Sequence, residues 1–520
     1  MNRFLQLHAQ SVTGTLSGFD RVRFRGTARL LANVSGLRAL LAHLSVLLKD
    51  FAVFAENLSE KLRAASLAGA QEAGRPVRYL ASSRICKEEV ALQIAREDRI
   101  DKGLICVLTA VEPCMSFAIR RDRAKKKLVL EPAWRKCLHL YHYFMHEELG
   151  FCHARVQSWL PFNIHVCING REMLARQMDQ AKISYQRRDN CFARVSDVKG
   201  AQKLLDDQLT FDWPELLGQL ADQVHPARQT MLKDWVPEYY WSCQESEWAS
   251  DVMFKDQAAL AGMYPKLIRH GMIGLHSGDV MRYLGKRVGP NDPRFTGEVI
   301  SDTKDRGEGL RIKHRLNANS IKMYDKQKSV LRVETTMNDP FDFKVYRRAG
   351  GDPKSKLCWR RLRKGVVDIK RRAEVSQAAN ERYLEAMASV ETSVALGELA
   401  GPLCKSVRGK SKGERARGLN PLGEADAQLL QAVSRGEFAI NGFRNRNIRA
   451  LLYKQETTDA KEIKRQGSAT TRKIRLLRAH GLVNKVPRTH RYILSDKGRQ
   501  SITTILAART ANAAKLLAAA

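Results

Sequence analysis

The last hundred residues restrict the fold most tightly, because three helical periods and a strand pair follow one another there in fixed order. Asp426–Ser434 reads as a short amphipathic helix. Arg446–Tyr453 reads as a second, with Ile448, Leu451 and Leu452 at helical spacing on one face. Ser468–Ala479 is a third, with Ile474 and Leu477 on its apolar side and Arg472, Lys473, Arg475 and Arg478 on the rest. Gly481 stands where a helix C-terminus favours a left-handed residue. Leu482–Lys485 and Arg491–Leu494 then pair about a turn at Pro487–Thr489, and a last helix begins after Gly498.

Charge names the class of partner. The chain carries a formal net charge of +34 over 520 residues. From Gly351 onward, 35 Lys and Arg stand against 15 Asp and Glu, so the last third is its most cationic part. Such an excess is self-repelling unless an anionic partner is near, and the commonest such partner is a phosphate backbone. DNA is the expected nucleic acid and RNA the alternative. The candidate contacts are Arg472, Lys473, Arg475 and Arg478, then Lys485, Arg488 and Arg491 about the hairpin, and Arg444 and Arg446 at the second helix.

The stretch Leu476–Tyr492, LLRAHGLVNKVPRTHRY, resembles the helix–glycine–strand junction of MarR-like winged-helix repressors. The resemblance covers residues 420–510. It implies a winged helix-turn-helix whose Ser468–Ala479 helix enters a major groove while the wing reaches a backbone or minor groove.

The remainder reads as a multidomain α+β chain. Residues 1–130 form a mixed α/β domain, with a strand at Phe19–Arg25, helical spacing over Ala28–Phe54 and a buried strand at Leu104–Leu108. The basic run Arg120–Lys127 reads as a hairpin tip. Residues 131–400 form a mixed α/β central region. Within it Asn163–Ile168 is strand-like, Asn169-Gly170 a turn, Arg171–Asp179 helical, and 241–300 helical with a loop at Gly289–Phe295. An antiparallel hairpin region spans 310–347 and a long helix 366–394. Residues 401–419 are a basic linker. Ten cysteines without a C-x-x-C pair suit reduced, buried thiols, and no apolar run approaches the ~20 residues of a membrane span. A cytoplasmic, non-membrane protein of a bacterial cell is expected.

Within 310–347 the strands are Leu310–Arg315, Ser320–Tyr324, Val330–Thr335 and Phe343–Tyr346, with a turn at Asp325–Ser329. Lys322, Tyr324 and Lys326 share a face, as do Arg332 and Glu334. Ile321–Thr335, IKMYDKQKSVLRVET, is similar to a passage in rolling-circle replication initiators of filamentous phages, where a K-x-Y-D-K strand precedes an L-R-x-E strand. Glu334 then becomes a ligand of a Mg²⁺- or Mn²⁺-dependent phosphoryl-transfer site, with Asp20 and Asp342 as partners. Cross-strand Lys–Glu pairing is the alternative.

A second cluster, Cys137–His153, reads CLHLYHYFMHEELGFCH. His142 and His146 share a face if it is helical, which suits a zinc or Mn²⁺ pair. Tyr141 or Tyr143 is a candidate strand-transfer nucleophile. These readings converge on a DNA-binding protein of a mobile element: a replication initiator, transposase or recombinase. A non-enzymatic winged-helix regulator and an RNA-binding protein partnering a structured RNA are the alternatives. The whole chain also resembles bacterial proteins of similar length with no assigned activity.

Overall fold

A computed structural model describes residues 2–82, 84–124, 126–232, 235–273, 275, 277–285, 299–306, 309–350, 352–388, 396–408, 415–434, 438, 442–453, 459–487 and 489–510. The chain divides into two compact bodies, Met1–Tyr264 with Ile300–Glu385, and Pro265–Val299 with Ala386–Ala520. Helices and strands are mixed along it, as an α+β chain requires.

The first body opens with α1 (Asn2–Leu7) and a long strand, β1 (Val12–Ala28), followed by α2 (Val34–His43), α3 (Phe51–Glu72), β2 (Val77–Tyr79) and α4 (Lys87–Glu97). Two 20-residue strands, β3 (Gly103–Asp122) and β4 (Lys127–His146), make a hairpin whose tip is the basic run. Then come β5 (Gly150–Gln157), β6 (Ile164–Asn169), α5 (Gly170–Gln180), the small hairpin β7 (Tyr185–Arg188) and β8 (Cys191–Val195), α6 (Val198–Asp207) and α7 (Trp213–Val224). The chain continues through β9 (Tyr239–Phe254), α8 (Gln257–Ile273), α9 (Ser277–Tyr283), β10 (Val299–Arg306), β11 (Gly309–Leu316), β12 (Asn319–Lys326) and β13 (Val330–Met337). It ends with the hairpin β14 (Lys344–Arg347) and β15 (Cys358–Arg361), then α10 (Ile369–Met387).

Eleven of these strands form one sheet, in the order β10-β11-β12-β13-β9-β1-β6-β5-β4-β3-β2. β1 shows why it has two unlike faces. Val22 and Phe24 are buried on one side, and Arg21, Arg23 and Arg25 alternate onto the other. The apolar face holds the main core, where Phe24, Leu140, Val156 and Val166 meet Leu37, Leu58, Leu62 and Leu220 of α2, α3 and α7. α10 is tied to the sheet through polar groups. Asn380 donates to the carbonyls of Trp248 and Val333, and the fully buried Arg372 donates to those of Cys243 and Met337.

The polar face is covered only at its ends. α5 and α6 lie over the first half of β1, where Leu16 packs with Leu174, Met178 and Leu205. Gly18 allows this approach, since a Cβ there would meet Leu205 Cδ2 at 2.6 Å. α4 covers the far side, where Ile94 packs with Leu108, Tyr141 and Tyr143. Between them the middle of the sheet is open.

Several boundaries differ from expectation. The 130/131 division falls inside β4, so a single sheet joins the two expected mixed domains. Residues 239–254, expected to be helical, form β9, a central strand flanked by β1 and β13. It is paired on both edges, its one face lines the open middle of the sheet with Glu245 and Glu247, and its other bonds to α10 through Ser246, Trp248 and Ser250, so polar residues on both faces hide the alternation of a half-exposed strand. Asn169 is not a left-handed turn residue but the N-cap of α5, at φ −101°, accepting from the amides of Arg171 and Glu172. Gly170 is needed there because a Cβ would meet the Phe19 carbonyl oxygen at 2.1 Å. The loop expected at Gly289–Phe295 and the last residues of the helix expected over 366–394 lie outside the described residues.

Besides α8 from Pro265 onward and α9, the second body contains α11 (Leu396–Cys404), the short pair β16 (Val407–Arg408) and β17 (Arg415–Ala416), α12 (Glu424–Val433), β18 (Phe443–Arg444), α13 (Asn445–Leu452), α14 (Ala460–Ala479), β19 (Val483–Lys485), β20 (Arg491–Leu494) and α15 (Asp496–Thr510). Its strands β18, β20 and β19 form a three-stranded sheet in that order. Leu429, Leu430, Phe443, Ile448, Ile474, Leu477, Leu482 and Ile502 make its core. The expected linker is not all linker. Leu403 of α11 sits 1% exposed in this core, and the Leu419 amide donates to the Leu403 carbonyl. α14 begins eight residues before the expected Ser468, capped by the Asp459 side chain.

Candidate functional site

The open middle of the sheet is a cleft of about 780 Å³. β12 and β13 supply its floor. Lys322 and Glu334 are direct cross-strand partners, as are Tyr324 and Arg332. The Tyr324 hydroxyl donates to Glu334 Oε2 at 2.9 Å, and Lys322 Nζ lies 2.6 Å from Oε1 of the same carboxylate. Glu334 is fully buried, with Tyr324 4% exposed. The expected Lys322–Glu334 pair therefore exists, and it holds the carboxylate that accepts the tyrosine hydrogen bond.

Asp20 reaches the same cleft through an irregularity. The β1–β9 register slips between Phe19 and Arg21, and Asp20 is the residue passed over. Such a bulge re-aims a side chain. Asp20 Oδ1 lies 2.8 Å from Arg332 Nη1 and accepts from Asn190 Nδ2 at 2.6 Å. Asn190, at the β7–β8 turn, also accepts through its carbonyl from Arg332 Nη2 at 2.6 Å. Beside it Asp189 pairs with Lys326 at 2.9 Å, so the turn forms a wall of the cleft.

Beneath lies a buried ion cluster of Arg332, Asp251 and Arg171. Arg332 grips Asp251 with Nε–Oδ1 at 2.6 Å and Nη2–Oδ2 at 2.9 Å, and Arg171 Nη2 lies 3.1 Å from the same Oδ2. Burial pushes the Asp251 carboxyl up, but the Arg332 and Arg171 guanidiniums outweigh it and hold it below the usual carboxylate range. Asp20 goes the other way, its carboxyl raised by burial against the opposing pull of Arg332. Lys322 is held ionised: burial lowers its ammonium, and Glu334 with Glu247 more than reverses this.

Two of the three expected carboxylates thus meet. Asp342 does not join them. It accepts from the side-chain amides of Asn317 and Asn319 at 3.1 Å each and fixes the turn after β13. The donor set also does not match a divalent ion as arranged. Glu334 is neutralised by Lys322 and Asp20 by Arg332, so an ion would have to displace a side-chain cation from each. Among the described residues no group of three or more His, Cys, Asp or Glu has a metal-holding arrangement.

The histidine cluster is corrected. His142 and His146 lie on β4, not on a helix, and four residues of strand span about 13 Å. His142 faces the core with its Nε2 3.0 Å from Ser66 Oγ, and burial lowers its pKa to about 4. His146 Nδ1 accepts from the Glu148 and Leu149 amides. Tyr141 does sit on the open face, donating to Glu112 Oε1 at 2.7 Å beside Arg155. Burial and then Glu112 push its hydroxyl up to about 12. It lines an adjoining pocket of about 490 Å³ with Arg23, Arg25, Arg155 and His165. The two pockets share His153 and Cys167, so the open face is one trough with a strongly cationic half. Tyr143, on the same face of β4, packs with Tyr141 under α4 and does not line either pocket.

In the second body, Arg472, Arg475 and Arg478 recur every third residue on the exposed side of α14, with Thr471 beside them. Lys473 is half-buried, 5.8 Å above the Tyr453 ring. Asn445, at the start of α13, donates to Gly467 and Thr471 of α14 and fixes the angle between these helices. Arg446 and Lys485 are exposed, and Arg444 and Arg491 are half-buried partners across β18 and β20. Arg488 lies outside the described residues.

The chain matches no family model, no curated protein and no solved structure. No helix among the described residues is long and apolar enough to cross a membrane.

Proposed function

We propose that this is a DNA-binding protein of a mobile element, a replication initiator, transposase or recombinase, that exchanges phosphodiester bonds in the cleft of its first body. The observation that carries this reading is the Tyr324 hydroxyl donating to Glu334 at 2.9 Å, on the floor of a cleft of mixed charge that runs on into the pocket of Arg23, Arg25 and Arg155. A phenol is a weak nucleophile until a base takes its proton, and a carboxylate in hydrogen-bond contact is that base. Tyr324 Oη attacks the phosphorus, its proton passes to Glu334, the bond from phosphorus to the leaving sugar oxygen breaks, and that oxygen takes a proton from solvent. Lys322 and Lys326 stabilise the charge that gathers on the phosphoryl oxygens.

The second body supports a duplex-binding role. Its order of helix, strand, two helices, strand pair and helix, with β18 closing a three-stranded sheet, supports reading it as a winged helix. In that reading α14 enters a major groove and β19–β20 is the wing.

A nicking assay tests the proposal. Wild type and Glu334→Gln are incubated with supercoiled plasmid and labelled single strand, with Mg²⁺, with Mn²⁺ and with chelator. Cleavage by wild type and a loss of about 10²–10⁴-fold in Glu334→Gln, with DNA affinity retained, is the expected result. Equal cleavage by both assigns Glu334 to cross-strand pairing alone. DNA binding with no cleavage under any condition favours the non-enzymatic regulator.

A further inference from the structure

The β14–β15 hairpin plays no part in the cleft, yet its surface is unusual. Tyr346 and Trp359 are direct cross-strand partners, 58% and 64% exposed, with ring centroids 5.7 Å apart. Large aromatic side chains left this open lose the burial that normally holds them inside. Both occupy one face of the hairpin, and the neighbours two residues along that face are Lys344 and Arg361, themselves direct partners and exposed. The result is a pair of rings set beside a pair of cations.

The surrounding charge has one sign. From Lys344 to Lys364 the chain carries nine Lys and Arg and one acidic residue, Asp352. Arg363 is committed to Asp368 at 2.8 Å, and Arg347 donates to the Arg348 and Arg361 carbonyls, bracing the hairpin from its buried side. Lys344, Lys354, Lys356 and Arg361 have no ion-pair partner among the described residues and face outward.

We infer that this hairpin is a stacking platform for single-stranded nucleic acid, separate from both the cleft and the duplex-binding helix. The pairing of chemistries selects the ligand. Exposed rings offer a face to an unstacked base of any sequence, and adjacent cations follow the backbone. A duplex keeps its bases stacked on each other and presents none to the rings. The inference rests on the reading of the chain as a nucleic-acid binder. It adds where an opened strand would be held.

The full chain is titrated with a labelled 20-nucleotide oligothymidine, with a duplex of the same length, and with anionic phospholipid vesicles. The variants are Tyr346→Ala, Trp359→Ala, the double variant, Trp359→Phe and Lys344→Ala/Arg361→Ala. Each alanine at a ring is expected to weaken oligothymidine binding roughly 5- to 150-fold, the range of a lost base–aromatic stack, while duplex affinity changes by less than about twofold. Trp359→Phe keeps a ring and retains most of the affinity. The charge variant weakens binding and makes its salt dependence shallower. Oligothymidine binding by the double alanine variant equal to wild type overturns the inference while leaving duplex binding, and the function proposed above, intact. So does a loss confined to vesicle binding, which makes the hairpin a membrane contact. A wild type that binds neither oligothymidine nor duplex overturns both readings.

Discussion

Arg332 and Asp251 face each other directly across β13 and β9, joined by two hydrogen bonds of 2.6 and 2.9 Å with neither side chain appreciably exposed. The same guanidinium reaches Asp20 and the Asn190 carbonyl, so one side chain ties β13 to β9, to the bulge of β1 and to the β7–β8 turn. The cleft is built on this arginine.

Replacing it therefore disorders more than one contact. Arg332→Met leaves Asp251 and Asp20 buried near each other with only Arg171 as counter-charge, and should cost about 3–5 kcal/mol, read by denaturant unfolding. Arg332→Met with Asp251→Leu should recover part of that loss, because Asp20 and Arg171 then remain as one carboxylate against one guanidinium. The pair also sets an acid limit. The Asp251 carboxyl titrates below its unfolded value, so its contribution is complete above about pH 4 and is lost as pH falls through the folded pKa. Arg332→Met/Asp251→Leu should flatten that part of the stability profile.

The second body gives a prediction about boundaries. Its core includes Leu403, so a fragment of residues 396–510 should fold by itself, and one starting at 419 should melt on the order of 10 °C lower. Circular dichroism melts of the two fragments compare them. Equal melting temperatures would place α11 outside the core.

Division of labour on the duplex is tested by two substitutions. Arg475 lies on the exposed side of α14, and Lys485 on the exposed edge of β19. Arg475→Ala should reduce the ratio between a selected site and scrambled duplex, by about 1–3 kcal/mol if it reads guanine. Lys485→Ala should weaken both equally and make the salt slope shallower by about one. Competition binding at several salt concentrations measures both. An equal loss on both duplexes from Arg475→Ala would make α14 a non-specific anchor.

Much of this was legible where residues alternate and neighbours are close in sequence. The strands over 310–347 stand out because each has a polar and an apolar face and a short turn. That turn nonetheless takes positive φ at Gln327 and Lys328, residues that do not announce it. Lys322, Tyr324 and Glu334 could be placed on common faces from spacing alone. Their companions could not. Asp20, Asn190 and Asp251 meet Arg332 across 312, 142 and 81 residues of chain, and no local pattern encodes such meetings. β9 was hidden because it carries polar residues on both faces, toward the cleft and toward α10. β18 was hidden because it is only two residues long, and its role appears only through pairing with β20. The β4 histidines misled because spacing of four is shared by a helix face and a strand face, and only the helix brings such residues together.

Covalent bonding of Tyr324 to DNA is read on a denaturing gel of protein incubated with labelled single strand and duplex, followed by mass spectrometry of the DNA-linked peptide. Tyr324 as the nucleophile requires a labelled band at the protein's mass, a linked peptide containing Tyr324, loss of the band in Tyr324→Phe, and its persistence in Tyr141→Phe. A band that survives Tyr324→Phe, or a linked peptide containing Tyr141, would contradict it.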